Sequence, residues 1–254
     1  MLGVGAFVGA LIGLTGLGSG SMLTPLLVLG GMPVTGAVGT SLVFSFFTKL
    51  SGSISFWRRG LVHEEIVRDL AIGCLPGALA GAFLLRYLNL RQPQLLDALM
   101  LRALGFTLIV VGVLMFARML PGSLRPRVVD RTLPFASWQR IAVIILVGFV
   151  TGLVVTLTSI GSGAALVPAM VLFYRMDSGT LVGTNVFMGL LLAGVAALPH
   201  AGLGHVDYRG VALLLAGSVP AVLIVSRLHG RIHRAIPEAI IALALLALGI
   251  RILL

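Results

Sequence analysis

The feature that most constrains this chain is a succession of apolar segments that leaves little sequence for a water-soluble surface. Only 10% of the 254 residues are charged and 58% are hydrophobic, whereas a soluble domain carries about a quarter charged residues. Several segments reach the roughly 20 apolar residues that span a bilayer. The sequence therefore predicts an all-α, multi-pass integral membrane protein. The apolar segments run over residues 2–15, 20–31, 35–57, 66–88, 95–119, 139–157, 162–174, 179–199, 209–229 and 236–253.

The segments fall into two halves that repeat each other. Internal repeats of this kind are common in transporter folds. We therefore divide the chain into a first transmembrane repeat (residues 1–120), a cytoplasmic linker (residues 121–138) and a second transmembrane repeat (residues 139–254). The matching positions are Gly18, Ser19, Gly20 and Pro25 against Gly161, Ser162, Gly163 and Pro168, then Gly39, Thr40 and Ser41 against Gly183, Thr184 and Asn185, then Gly60 against Gly204.

The first two segments of each half are short for membrane spans. Segment 2–15 would be about 21 Å long and segment 20–31 about 18 Å, less than the roughly 30 Å hydrocarbon core. We expect each such pair to form a broken, re-entrant helical hairpin, followed by three full transmembrane helices. With inverted halves, more arginines collect on one side than with parallel halves, so the positive-inside rule favours inversion. Ten complete crossings would give the arginines the same sides as the hairpins.

The two glycine-rich breaks form the predicted substrate site. A helix that starts shortly before Pro25 or Pro168 would begin near the midplane, where its N-terminus carries about half a positive charge. Two such ends can bind an anion without a buried cation, whereas the competing interpretation is that the small residues only pack helices together. The predicted substrate-binding residues are Gly18, Ser19, Gly20, Ser21, Thr40, Ser41, Lys49, Gly161, Ser162, Gly163, Thr184 and Asn185.

The positions of the acidic residues give the substrate a sign. All of them fall in predicted loops or near segment ends, whereas a cation pathway or a carboxylate proton relay normally needs an acid deep in the membrane. We therefore expect a secondary transporter of a small anion in the cell (plasma or inner) membrane, surrounded by the lipid bilayer. We expect no enzyme activity, no cofactor, no metal site and no nucleic-acid partner. The oligomeric state stays open, and a homodimer is one arrangement that the sequence allows.

The glycine-rich stretches that end in proline resemble the TauE/SafE family, and the similarity covers nearly the whole chain. The resemblance implies about eight membrane segments in two related halves, and export of sulfite or of an organosulfonate such as sulfoacetate. Ser19 and Ser162 depart from the glycine-only form of the motif, so the resemblance leaves the pocket size open. The other residues that carry the resemblance are Gly39, Thr40 and Ser41, and the turn Trp57, Arg58, Arg59 and Gly60 before a spanning helix.

Two other functions are compatible with parts of this pattern. An anion channel could have the same polar lining, and the sequence does not separate it from a carrier. An intramembrane serine protease could use Ser162 as nucleophile with His200 or His205 as base. The predicted depths of the serine and the histidines differ by roughly 15 Å, however, and nucleophile and base must lie within hydrogen-bond reach.

Overall fold

The computed structural model describes residues 1–15, 20–117, 137–161, 166–167, 170–171, 173–174, 176–226 and 235–254. Every regular element in these ranges is an α-helix, and the described residues among 166–173 are helical as well. Residues 121–136 of the predicted linker lie outside the described ranges. The helices are α1 (Leu2–Thr15), α2 (Gly20–Leu29), α3 (Val34–Arg58), α4 (Glu64–Arg91), α5 (Pro93–Ala117), α6 (Ser137–Thr158), α7 (Ser178–Gly202), α8 (Tyr208–Ser226) and α9 (Ala235–Leu253).

These helices coincide with the predicted apolar segments to within a few residues, which confirms the all-α class. Lipid offers no hydrogen-bond partners to the backbone, so an apolar chain must satisfy its N–H and C=O groups within its own helices. Of the described helices, those long and apolar enough to cross a membrane are Glu64–Arg91, Pro93–Phe116, Ile141–Thr158 and Gly179–Gly202.

Helices α4 and α6 run parallel and touch backbone to backbone. A methyl group at Gly73 would collide with the carbonyl oxygen of Ile145, and one at Gly77 with that of Phe149. Residues spaced by four lie on the same face of a helix. The glycines therefore give α4 a smooth face on which α6 lies at the closest possible distance, as small residues do in membrane proteins.

Helices α1 and α8 form the same contact with the roles of the halves exchanged. Gly9 of α1 meets the backbone of Ser218 in α8, and Gly152 of α6 meets the backbone of Cys74 in α4. These two pairs occupy equivalent positions in the repeated sequence. The first helix of each half thus packs on the next-to-last helix of the other half, so the halves are interlocked.

Two further extensive contacts join helices that correspond to each other in the two halves. Helix α3 packs on α7 and helix α5 packs on α9, and both pairs run antiparallel, because the partner's residue numbers fall as those of α3 or α5 rise. The contacts that give the direction are Gly39 with His200 and Lys49 with Gly189 for the first pair, and Gly105 with Leu253 and Gly112 with Leu246 for the second.

Replacing Gly152 with alanine should destabilise the protein, although alanine is the better helix former. The methyl group would collide with the Cys74 carbonyl, and overpacking of this kind costs about 1–3 kcal/mol. We expect the melting temperature of the detergent-purified protein to fall by several degrees. Gly3→Ala is the matched control, because nothing lies within 4 Å of a Cβ at Gly3. An unchanged melting temperature for Gly152→Ala would contradict the close contact.

Candidate functional site

Helix α6 ends at a backbone break within the second glycine-rich stretch, where the sequence predicts one. Ser159 has a φ of 61° and Gly161 has a φ of 119°. Glycine adopts positive φ readily, whereas another residue in left-handed helical geometry costs roughly 1–2 kcal/mol. The N–H of Ile160 donates to the Thr158 hydroxyl at 3.2 Å and not to the Thr156 carbonyl, which would be its partner in a continuing helix. The break therefore frees the Thr156 carbonyl.

The described end of the first break lies directly against the second. Helix α2 begins at Gly20, and a Cβ at Gly20 would collide with the carbonyl oxygen of Ser159. Pro25 lies one turn deeper in α2 than the first-turn position that prolines favour. The structure thus brings the start of α2 and the end of α6 together, so the positive end of the α2 dipole points to this meeting point.

Buried hydroxyl groups of α2 and α3 lie at the contact between Gly20 and Ser159 or about one helical turn from it. The Ser159 hydroxyl donates to Oγ of Ser41 at 3.2 Å, and both side chains are buried. Ser45, one turn further along α3, is also buried. The Thr24 hydroxyl of α2 is fully buried and has no hydrogen-bond partner among the described residues. A buried hydroxyl without a partner is costly, so Thr24 has unused capacity to bind a polar ligand.

Lys49, the only lysine of the chain, lies close to the middle of α3. The midpoint of Val34–Arg58 is residue 46, so Lys49 lies about 5 Å beyond it along the helix. Its Nζ occupies the space beside Gly189, 2.5 Å from the position of a Cβ there. In the repeat, Gly189 corresponds to Ser45 and Lys49 corresponds to Ala193. Lys49 thus lies beside the repeat equivalent of Ser45, the residue one turn before it in α3. The point at which equivalent residues of α3 and α7 lie side by side is therefore within one turn of Lys49.

Thr40 and Thr184 hold loops in place. The Thr40 hydroxyl oxygen accepts a hydrogen bond from the N–H of Asp207 at 3.0 Å, and that of Thr184 accepts one from the N–H of His63 at 3.0 Å. The two bonds join equivalent positions of the two halves. They give both threonines a structural role, and a substrate contact at either residue stays a prediction.

The structure groups some of the predicted site residues and separates others. Gly20 and Ser41 meet at the breaks, whereas Thr40 and Thr184 lie at the loops. Asn185, the repeat equivalent of Ser41, has a buried Oδ1 without a hydrogen-bond partner in the described part of the chain. Ser21 and Gly161 lie next to the meeting point in sequence. The predicted site residues that fall outside the described ranges are Gly18, Ser19, Ser162 and Gly163.

Sequence reasoning missed Ser53 and Ser159. Ser53 of α3 is buried and its hydroxyl has no partner among the described residues, whereas Ser55, two residues further along, is exposed. Ser159 replaces the Gly16 of the first copy. That difference between the copies was the available signal, because a serine at a position that otherwise holds glycine needs a reason.

Two histidines were also missed as site residues: His200 is buried near the end of α7, and His205 is half-buried in the loop that follows. Nε2 of His200 donates to the freed carbonyl of Thr156 at 3.0 Å, so this ring caps the broken end of α6. The His205 ring lies 5.7 Å away between centroids, and its Nε2 is 3.1 Å from Oδ1 of Asn89. Burial lowers the pKa of His205, and the carboxylate of Asp97 partly opposes that shift. Each Nε2 thus bonds to an oxygen of another group, which gives no support to a serine protease.

The start of one helix against the broken end of another, inside a bundle of membrane-length helices, is an arrangement typical of polytopic α-helical membrane transporters. The sequence profile described as "Sulfite exporter TauE/SafE" matches residues 1–252. The chain therefore belongs to the TauE/SafE family, and it is a multi-pass membrane transporter.

Two relatives from Bacillus subtilis (strain 168) carry the same general description. The chain is 38% identical over 257 residues to "Probable membrane transporter protein YjnA", which covers 98% of this chain and 97% of that protein. It is 26% identical over 229 residues to "Probable membrane transporter protein YunE", covering 85% of this chain and 82% of that protein. These descriptions agree with the expectation that the protein is not an enzyme. No solved structure matches the chain.

Cysteines in place of Ser41 and Ser159 should form a disulfide in a chain whose Cys74 is replaced by alanine. The two Oγ atoms are 3.2 Å apart, which is compatible with the Cβ separation of about 3.5–4.5 Å in a disulfide. A protease site inserted within residues 121–136 provides the readout, because the cut halves stay linked on a non-reducing gel. The pair Ser55→Cys and Ser159→Cys should not cross-link, since Ser55 is exposed near the far end of α3. Equal cross-linking of both pairs would argue against the described contact.

Proposed function

We propose that this transporter exports a small anion, sulfite or an organosulfonate such as sulfoacetate, across the cell membrane. The observation that carries the proposal is the contact between the start of α2 and the break after α6, lined by Ser41 and Ser159. A helix N-terminus offers several N–H donors and a partial positive charge. An anion bound there needs no further cation, and the description of the family profile as a sulfite exporter supports a sulfur oxyanion.

The groups around this point can supply what the oxygens of a sulfite or sulfonate require. Those oxygens only accept hydrogen bonds, and the hydroxyls of Ser41 and Thr24 can donate. Lys49, about two turns beyond Ser41 along α3, would supply a full positive charge on the same stretch of helix. The described acidic residues lie at helix ends or in loops, so the site carries no competing negative charge. This combination favours an anion over a cation.

Transport would proceed by alternating access between inverted halves. The antiparallel packing of α3 on α7 and of α5 on α9 supports an inverted relation, because these helices correspond to each other in the repeat. An inverted pair of halves can exchange its two conformations, so that one site faces each side of the membrane in turn. Helix α1 has 14 residues and is therefore about 21 Å long, which supports the re-entrant form of the first hairpin.

Proteoliposomes loaded with labelled sulfite or sulfoacetate should release the label in a saturable manner. Unlabelled anion added outside should speed this release by exchange, which is counterflow. Saturation and counterflow indicate a carrier, whereas single-channel currents in a planar bilayer would indicate a channel. Liposomes without protein are the control. If no small anion tested shows saturable flux, the proposed function is wrong.

Lys49→Met should lower the apparent affinity for the anion by about 10-fold, the effect of removing a positive charge about 12 Å away at an effective dielectric constant of about 20. The substitution keeps the length and apolar character of the stem, so insertion and helix packing should persist. Arg59→Met removes a positive charge that is exposed just after α3, and it should leave the affinity within about twofold because exposed charges are screened. Equal losses in both variants would mean that Lys49 acts only through net charge.

A further inference from the structure

Two buried polar groups face each other across the contact between α3 and α7. The hydroxyl of Ser53 in α3 and Oδ1 of Asn185 in α7 have no hydrogen-bond partner in the described part of the chain. Ser53 is only 2% exposed. A polar group that is buried without a partner costs free energy. Two such groups on adjoining helices therefore indicate a partner that the chain itself does not provide.

The register of the two helices brings these groups to the same level. Lys49 lies beside Gly189, and three residues further along α3 a Cβ at Gly52 would be 3.5 Å from Cγ1 of Val186. Each residue forward in α3 is thus matched by one residue backward in α7. One further residue in each direction reaches the two unpaired groups, so they lie opposite each other along the helix pair.

Both groups also lie on the side of their helix that faces the other helix. Side chains four residues apart lie on one face of a helix. Ser53 therefore shares a face with Lys49, whose Nζ would be 2.5 Å from a Cβ at Gly189 in α7. Asn185 shares a face with Gly189 in the same way. The hydroxyl, the amide and the ammonium group of Lys49 thus converge within about one turn of the α3–α7 contact.

These three groups suit an anion. The Ser53 hydroxyl can donate one hydrogen bond, and rotation of the Asn185 amide by half a turn presents two N–H donors where Oδ1 now lies. The ammonium group of Lys49 adds a full positive charge, and its hydrogen bonds to an anionic oxygen are among the strong ones. The same charge repels a metal cation. The oxygens of sulfite or of a sulfonate can accept hydrogen bonds from all three groups.

This cluster is separate from the contact between the two breaks. Ser53 is twelve residues beyond Ser41 in α3, which is about 18 Å along the helix. An ion the size of sulfite or sulfoacetate is too small to touch both serines. An anion at Ser53 therefore occupies a different place from an anion at the breaks.

The cluster also departs from the repeat. Ser53 corresponds to Ala197, and Lys49 corresponds to Ala193. Two methyl groups therefore stand on the far side of the centre of the α3–α7 pair, where an exact repeat would place a second hydroxyl and a second ammonium group. The groups of Ser53 and Lys49 thus have no counterpart at the other end of the pair.

The charges at the nearby end of α3 assign this end to one side of the membrane. Arg58 and Arg59 close α3 and are exposed, and the positive-inside rule assigns such an end to the cytoplasm. Glu64, Glu65 and Asp177 are also exposed at this end, so water and salt screen their charges. An exported anion enters the protein from this side and meets the cluster before it reaches the breaks.

We propose that Lys49, Ser53 and Asn185 form a second anion-binding position, which an exported sulfite or sulfonate occupies on its way from the cytoplasm to the breaks. This inference rests on the proposed function. It divides the path into an inner position with a full positive charge and the contact at the breaks, where a helix N-terminus and hydroxyl groups bind the ion.

Ser53→Ala removes one donor and leaves the volume at the helix contact nearly unchanged. The half-saturating concentration of labelled sulfoacetate for release from proteoliposomes should rise about tenfold, as expected for the loss of a hydrogen bond to a charged group. Asn185→Leu should act in the same direction, and the double variant should lose less than the product of the two effects because both donors bind one ion. Ser55→Ala, at an exposed serine two residues away, is the matched control and should stay within about twofold of wild type.

The melting temperature separates a ligand-binding hydroxyl from a structural one. Without anion the Ser53 hydroxyl is unpaired, so Ser53→Ala should melt at the wild-type temperature or above it. Sulfoacetate stabilises the folded protein by binding to it, and the same concentration should raise the melting temperature less in Ser53→Ala than in wild type. A lower melting temperature without anion, together with the full effect of sulfoacetate, would give the hydroxyl a structural role and overturn the proposal.

Trp57, one turn beyond Ser53 in α3, can report on the inner position separately. In a chain with Trp138→Phe it is the only tryptophan. Sulfoacetate should change its fluorescence, and the change should persist in Ser41→Leu, which fills space at the breaks, but weaken in Ser53→Ala. A response that Ser41→Leu abolishes, while that variant still melts cooperatively, would mean that the anion binds at the breaks alone.

The outcomes distinguish this proposal from the proposed function. Wild-type affinity in both Ser53→Ala and Asn185→Leu, with saturable flux, would overturn the second position and leave the proposed function in place. Absence of saturable flux of every anion through the wild-type protein would overturn both.

Discussion

The structure depends on backbone contact between helices at glycine. Lipid tails are as apolar as leucine side chains, so the hydrophobic effect does little to bring one membrane helix onto another. What remains is van der Waals packing, which is strongest where two helices approach without side chains between them. Gly73 and Gly77 on α4, and Gly9 on α1, provide that approach to a helix of the other half. Neither half can make these contacts alone, so the interlocked arrangement and the closeness of the breaks share one cause.

A break in a membrane helix leaves polar backbone groups that lipid cannot satisfy, and the side chains around the second break satisfy them one by one. The Thr158 hydroxyl takes the N–H of Ile160, and His200 takes the carbonyl of Thr156. Ser159 bonds to Ser41. The hydroxyl of Thr24 is left without a partner in the described part of the chain. The break is therefore well supported on the side of α7 and has spare hydrogen-bonding capacity on the side of α2, where a ligand would bind.

The helices could be predicted from the sequence because lipid leaves a long apolar segment little choice except to be a helix. The break at residues 159–161 could also be predicted, since glycine and serine interrupt an apolar run twice in equivalent places. Side-chain partners could not. The spacing of Thr40 predicted a site residue, but its hydroxyl accepts a hydrogen bond from the Asp207 N–H. This bond depends on how the loop before α8 folds back onto α3, which the local sequence does not reveal. His200 looked like an interfacial residue by its place near the end of a segment, yet its ring is buried because the carbonyl of a broken helix lies next to it.

The repeated positions account for helix contacts that hold the scaffold together, whereas two positions that depart from the repeat hold the ionisable side chains Lys49 and His200. The contacts of α1 with α8 and of α4 with α6 are equivalent in the two halves, and so are the bonds of Thr40 and Thr184. With the inverted halves that we propose, a fully symmetric transporter would present the same surface to both sides of the membrane and could distinguish them only by the gradients across it. Lys49 corresponds to Ala193 in the repeat, and His200 corresponds to Phe56. Lys49 lies beside Gly189, the repeat equivalent of Ser45. In the proposed inverted arrangement its charge is therefore about equally far from the two sides of the membrane. His200 lies near one end of α7 and donates to the Thr156 carbonyl. This departure from the repeat therefore stabilises the break after α6, and the first half has no such donor at the equivalent position because Phe56 stands there.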